Sequence, residues 1–227
     1  MIDSKLYFYL VLEYIGGGNV KTVMHDCGGF TDSQVFKIVK QLLLGVNALH
    51  EAGICHRDLK TENLLCDKEF EDNAPVIHIA DFGHAMFLNE NYTTKQIQVG
   101  TRYYMAPELL EHSESDGQLH YNEKVDIWAI GVITYYLVRE GKFPFPGKKK
   151  AIVENLILNQ EPDFDFDCSD ERKQFIKDCL NKKYELRPSA RELIDRQGIF
   201  DDDDEPATPV SPMKSLKQGI RATMKSN

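Results

Sequence analysis

The chain has 227 residues, 42% hydrophobic and 28% charged, enough to bury one substantial core or two small ones but not three domains. Its formal net charge of -9 argues against a general nucleic-acid binder, because neutralising phosphates needs a surplus of Lys and Arg on the binding face. The five cysteines, Cys27, Cys55, Cys66, Cys168 and Cys179, are scattered, odd in number and without a Cys-x-x-Cys pair, so they suggest neither a disulfide framework nor a zinc site and fit a reducing, cytoplasmic compartment.

Leu6 to Ile15 is apolar, too short to span a bilayer, and with Glu13 and its aromatic residues lacks the pattern of a cleavable signal. It predicts a buried strand, one that begins almost at the first residue with nothing before it to pair against. Gly16, Gly17, Gly18 and Asn19 make a hinge-like break. Thr31 and Gln34 then stand at capping-box spacing, with Phe30 and Val35 placed as a hydrophobic staple, and predict a helix start. Val35, Ile38, Val39, Leu42, Leu43, Val46 and Leu49 recur at helical spacing up to Gly53, giving a long helix with a wide apolar face. Two short strands follow, Asn63 to Cys66 and Val76 to Ala80, split by the charged turn Asp67 to Asn73.

Residues 81 to about 120 are polar and aromatic without periodicity and read as a long ordered loop, a class of loop that is usually functional. Lys124 to Glu140 is apolar on nearly every side and predicts a helix in the middle of a domain, ended by Gly141, Pro144 and Pro146. Ser169 before Phe175, Ile176 and Cys179, and the Ser189 to Glu192 capping box after Pro188, signal two later helices. The five acids Asp201 to Glu205 read as a solvated linker rather than a metal site, since they lack the alternating ligands and Gly of a calcium loop. Beyond them Met213, Leu216, Ile220 and Met224 mark a short basic amphipathic segment.

Three motifs occur in order: His56-Arg57-Asp58-Leu59-Lys60-Thr61-Glu62-Asn63, Asp81-Phe82-Gly83 and Ala106-Pro107-Glu108. Together with Gly100-Thr101, Asp126-Ile127-Trp128, Gly131 and Arg187-Pro188, they make the chain resemble the eukaryotic protein kinase family from about Leu6 to Phe200. The resemblance implies an α+β fold, the mainly helical large (C-terminal) lobe of a kinase with its hinge strand. It divides the chain into a kinase domain at 1–200 and an acidic linker with a basic tail at 201–227.

The implied activity is transfer of the γ-phosphate of ATP, with Mg2+, to serine or threonine of proteins, a reaction that needs positioning and charge neutralisation more than covalent chemistry. Asp58 resembles the base that accepts the substrate hydroxyl proton, Lys60 the cation that neutralises the transferring phosphate, and Thr101 the residue that bonds both in serine/threonine-specific members. Asn63 and Asp81 would hold two magnesium ions, an amide and a carboxylate being the oxygen ligands that a hard cation takes. The nucleotide site implied by the resemblance has the backbone of Glu13 and Ile15 at the adenine edge, Leu12 as gatekeeper, and Val20 and Leu65 against the ring, with Asn19 completing the set. For each apolar residue taken alone, ordinary core packing is as good a reading. His56 and Phe82 match an internal hydrophobic column anchored on Asp126, Glu108 resembles the partner of Arg187 in a buried ion pair, and Trp128 reads as core.

Val99 to Glu108, Lys124 to Ile133 and Phe143 to Gly147 are similar to the calcium/calmodulin-dependent group, and within it to the calcium-dependent kinases of protists and plants. Protein substrates are the implied partners, with no nucleic acid and no membrane. The tail at 206–227 reads either as a disordered basic terminus or as the start of an autoinhibitory junction, a place for a calcium sensor or calmodulin-like partner; no EF-hand loop follows it. Arg57 would pair with a phosphorylated loop, although the usual phosphosite aligns with Ile97, leaving Thr93 and Thr94 as nearby candidates. Glu62 suggests attraction to a basic residue upstream of the acceptor, whereas Asn19 and Tyr136 stand where strongly basophilic members carry acids, so a weak Arg preference is expected.

The sequence contains no GxGxxG loop, no strand Lys for the α and β phosphates and no helix Glu to pair with it, parts that lie upstream of residue 1 in the family pattern. The expectation is a large lobe with the small lobe absent and low activity as it stands, the alternative being a noncatalytic binding or scaffold module.

Overall fold

Apolar residues spaced three and four apart form the helices that build the core, and the strands among the described residues are short antiparallel pairs. The computed structural model describes residues 10–68, 74–88, 102–111 and 122–200. In chain order these form α1 (Val20–Asp26), α2 (Asp32–Glu51), β1 (Ile54–Cys55), β2 (Leu64–Cys66), β3 (Ile77–Ile79), β4 (Met86–Phe87), α3 (Glu108–Glu111), α4 (Lys124–Val138), α5 (Lys150–Asn159), α6 (Asp170–Cys179) and α7 (Ala190–Ile194). Single 3-10 turns at Thr61–Asn63, Phe82–His84, Arg102–Tyr104 and Tyr184–Leu186 join them.

The helix starts follow from their caps. Thr31 and Gln34 form the expected capping box of α2, with Gln34 N–H donating to Thr31 Oγ1 at 3.3 Å and Thr31 N–H to Gln34 Oε1 at 3.0 Å. Ser169 caps α6, and Ser189 with Glu192 boxes the start of α7. α4 is buried from Val125 to Leu137 without interruption, which places it at the centre, packed against α2 on one side and α6 on another. Gly131 permits the second contact: a Cβ there would lie 2.7 Å from Cys179 Cβ. α7 closes over α2, and Phe36 and Phe200 each meet Phe175 edge-on between α2, α6 and the segment after α7. Trp128 is fully buried and stacks on Phe145 at 5.7 Å, as core.

The strands form two antiparallel pairs. β2 pairs with β3 in the register Leu64 with Ile79 and Cys66 with Ile77, and β1 pairs with β4 through Ile54–Phe87 and Cys55–Met86. The loop Gly16–Asn19 is tied to β2 by Gly17 N–H to Cys66 O at 3.0 Å and Cys66 N–H to Gly18 O at 2.8 Å. A Cβ on Gly17 would lie 2.1 Å from the Asp67 carbonyl oxygen, so this approach requires glycine.

The expected strand at Leu6 to Ile15 is corrected in its described part. Residues 10–15 are in no strand, and Leu10, Val11, Leu12 and Tyr14 are exposed rather than buried. Among the described residues no backbone lies alongside to complete a ladder, and an unpaired strand has no hydrogen-bonding advantage over solvated chain. The long loop expected from residue 81 contains, where described, the turn Phe82–His84, β4, the turn Arg102–Tyr104 and α3. Its remaining residues, Thr93, Thr94, Ile97 and Thr101 among them, lie outside the described residues, as do the acidic linker and basic tail. No helix among the described residues is long and apolar enough to cross a membrane.

Candidate active site

The segment from His56 to Asn63 is shaped from below by one buried carboxylate. Asp126, in the first turn of α4, accepts the backbone N–H of His56 at 2.9 Å through Oδ2 and that of Arg57 at 2.8 Å through Oδ1. His50 of α2 holds Oδ2 as well, at 2.9 Å. Burial opposes the ionisation of Asp126, yet the hydrogen bond and charge of His50, with the backbone N–H of His56, outweigh it and keep the carboxyl below the usual range. Arg57 takes a left-handed conformation, φ 67°, and directs Nε to the His84 carbonyl oxygen at 2.6 Å, joining the loop to the Phe82–His84 turn. A left-handed non-glycine residue costs about 1–3 kcal/mol and persists where surrounding contacts fix it; the two bonds from Asp126 are those contacts.

On this floor stand the polar groups. Lys60 Nζ donates to Asp58 Oδ2 at 2.7 Å, and Asn63 Nδ2 donates to the same oxygen at 3.2 Å and to the Asp58 carbonyl at 2.9 Å. Asp58 and Asn63 are buried and Lys60 is half-buried, so the cluster is mostly screened from water. Ala80 N–H donates to the Asn63 carbonyl at 2.8 Å, which sets Asp81 next to Asn63 across the β2–β3 hairpin. Asp81 is also left-handed, φ 61°, and exposed, with Oδ1 accepting from Gly83 N–H at 3.2 Å. Its neighbour Phe82 packs on His56 with ring centroids 4.9 Å apart, so the expected column of His56 and Phe82 over Asp126 is in place.

The donor set fits magnesium. Asn63 spends its amide N–H groups on Asp58, which leaves its carbonyl oxygen as the group to offer, and Asp81 adds a solvent-facing carboxylate beside it. Among the described residues no three His, Cys, Asp or Glu side chains gather into a cage; magnesium does not require one, since it keeps waters and phosphate oxygens in most of its octahedron.

The residues expected at the nucleotide divide. The Gly16–Asn19 loop and β2 bring Asn19 beside Leu65 in an isolated bridge, with Leu65 half-buried. Asn19 uses its side-chain oxygen to cap α1, accepting from Thr22 N–H at 3.0 Å and Thr22 Oγ1 at 3.1 Å, while Val20 is fully buried in the core. Glu13 is exposed and Ile15 half-buried, and their backbone groups bond to no other described backbone. Thr101 lies outside the described residues.

Two structural partners also meet as expected. Arg187 donates from both terminal nitrogens to Glu108, each at 2.7 Å, in a buried fork-to-fork pair. Sequence reasoning missed Lys21, which pairs with Glu62 at 2.8 Å, and Tyr104, whose hydroxyl bonds Thr61 Oγ1 at 3.0 Å. Helical spacing of Val20, Val23 and Met24 after Asn19 was the available signal for α1 and hence for Lys21.

A family model described as protein kinase domain matches residues 1–197. Among curated proteins, the chain is 34% identical over 95% of its length to the CDPK-related kinase 3 of Arabidopsis thaliana, covering 35% of that protein. It is 34% identical over 97% of its length to a probable myosin light chain kinase of Dictyostelium discoideum, covering 56% of it, and 35% identical over 85% of its length to calcium-dependent protein kinase 5 of Plasmodium falciparum, covering 32%. The chain thus spans between about a third and just over half the length of these relatives.

Proposed function

Since the chain belongs to the protein kinase family, in the calcium-dependent serine/threonine group, we propose that it transfers the γ-phosphate of ATP to serine or threonine of proteins. The observation that carries this reading is the cluster of Asp58, Lys60 and Asn63 on the Asp126 anchor, with Asp81 alongside. Asp58 accepts the proton of the acceptor hydroxyl as its oxygen bonds to phosphorus, and the bond to the ADP oxygen breaks. Lys60, already 2.7 Å from Asp58, is placed to offset the charge of the transferring group. Asn63 and Asp81 would hold magnesium, which would supply positive charge to offset that of the nucleotide phosphates. The backbone of Glu13 and Ile15 would meet the adenine edge and Leu65 its ring, and Thr101 would bond Asp58 and Lys60.

These 227 residues by themselves are proposed to turn over slowly, because the sequence holds no glycine-rich loop and no lysine for the α and β phosphates. The free state of all five cysteines supports a reducing compartment such as the cytoplasm, and the basic tail at 206–227 is proposed as the place for a calcium sensor. The test is transfer of radiolabelled phosphate from ATP to a serine peptide, with magnesium titrated. Slow, magnesium-dependent transfer that is lost in Asp58→Ala and in Asp81→Ala is expected; turnover indifferent to Asp58→Ala would overturn the assignment. A second reading, a noncatalytic binding module, draws on the exposed Leu10, Val11, Leu12 and Tyr14. It predicts partner binding that Asp81→Ala leaves untouched.

A further inference from the structure

The Lys21–Glu62 ion pair stands beside the reacting centre and takes no part in the chemistry above. Glu62 lies in the Thr61–Asn63 turn, four residues after Asp58. At about 3.3–3.6 Å per residue, its backbone is within about 14 Å of the Asp58 backbone. A peptide whose hydroxyl meets Asp58 therefore carries its neighbouring side chains within reach of Glu62.

That carboxylate is already engaged. Oε1 accepts from Lys21 Nζ at 2.8 Å and Oε2 from Thr61 Oγ1 at 3.0 Å. Both partners are held in place. The Tyr104 hydroxyl bonds Thr61 Oγ1 at 3.0 Å, and Tyr104 rests edge-on against Phe143. Lys21 rides on α1, fixed by its Asn19 cap and by Val20 and Val23 in the core. The two side chains remain 49% and 37% exposed, open to a side chain arriving from solvent. The hydrogen bond to Glu62 raises the Lys21 pKa.

We propose that Lys21 is a specificity-determining residue: its ammonium occupies the Glu62 carboxylate in place of a basic residue of the protein substrate, so acceptor sequences need no Arg or Lys upstream of the serine. The inference rests on the serine/threonine kinase reading and gives its weak Arg preference a physical cause. An incoming guanidinium must displace a tethered ammonium whose effective concentration is on the order of millimolar. It then exchanges one half-exposed ion pair for another, with almost nothing gained.

Equilibrium binding tests this without turnover. Fluorescence anisotropy would compare an all-alanine serine peptide with three peptides carrying Arg one, two or three residues before the serine, taking the best Arg peptide as the numerator of an affinity ratio. The wild-type ratio is expected to stay below about threefold and to rise to about five- to tenfold in Lys21→Ala and Lys21→Met, the range of a charge-assisted bond no longer contested. Adding Glu62→Gln should return it below threefold. A ratio of threefold or more in the wild type overturns the proposal. So does a ratio under threefold in the Lys21 variants with native melting curves, their failure to bind any Arg peptide, or a preference that survives Glu62→Gln. Failure of the kinase reading itself would show in the phosphate-transfer assay, which none of these ratios uses.

Discussion

His56 makes the segment from His56 to Asn63 sensitive to acid. Its Nδ1 accepts the Asp58 N–H at 3.3 Å while Nε2 faces the Ala80 carbonyl oxygen at 3.1 Å, and only a neutral ring with its proton on Nε2 can serve both. Burial lowers the pKa of this imidazole, against the opposing pull of Asp126, the Ala80 carbonyl, Asp58 and Asp81. The unfolded chain therefore takes up a proton near the ordinary histidine value of about 6.5 that the folded chain refuses. The contribution is present above that value and is lost as pH falls from it toward the lower folded pKa. Denaturant unfolding measured between about pH 5 and 7 should show stability falling on acidification, with the slope reduced in His56→Asn; an unchanged slope would remove His56 as the source. At this scale much was legible in the sequence. Asp58, Lys60, Asn63 and Asp81 were named from motif order, and the fold brings the four together. Lys21 was not, because its partner lies 41 residues away and only the fold of α1 sets them face to face.

Helices with an internal signature were readable, and those whose stability comes from docking were not. α2 and α7 announce themselves by capping boxes, and α4 by an unbroken apolar run. α5 has Lys149 at its N-cap, which makes no side-chain cap bond, and starts within consecutive lysines, a poor start for a helix; it is fixed instead by burying Val153 and Ile157. β1 and β4 are two residues each, below the length at which alternation can be seen. The close crossing of α4 and α6 depends on Gly131, since an added Cβ would meet Leu180 Cδ2 at 2.9 Å as well as Cys179 Cβ. In an isolated helix Gly→Ala gains about 1 kcal/mol, whereas overpacking a core costs about 1–3 kcal/mol. Gly131→Ala should thus be destabilising by up to about 2 kcal/mol in chemical denaturation, and a gain in stability would show that α4 and α6 can separate at little cost.

Across the whole molecule, distant segments are joined by a few buried charges. Glu108 in α3 and Arg187, 79 residues later, are nearly inaccessible to solvent and make two bonds to each other. Arg187 also donates to the carbonyls of Lys124 and Asn181, which secures the ends of α4 and α6. Removing one member of such a pair strands the other, at about 3–5 kcal/mol. Glu108→Ala should lower the unfolding free energy by that amount, and a loss under about 1 kcal/mol would mean that solvent reaches Arg187. The ion pair was legible as a motif match, but the exposure of residues 10–15 was not: their apolar sequence reads as a strand, and whether it is one depends on a partner that sequence periodicity cannot supply.

The anchor at Asp126 also bears on the order in which the molecule can assemble. The two backbone groups it holds, those of His56 and Arg57, precede it by 70 and 69 positions, so the loop carrying Asp58 is not shaped by its own neighbours alone. During synthesis the segment from His56 to Asn63 emerges long before α4 exists and has no source for these bonds. Closing so long a connection carries a loop-entropy cost that must be met before the contact returns anything. The arrangement of His56 to Asn63 is therefore a late product of folding, formed when α4 docks into α2, and the His56 and Arg57 amides should become protected from hydrogen exchange together with the centre of α4 rather than with α2.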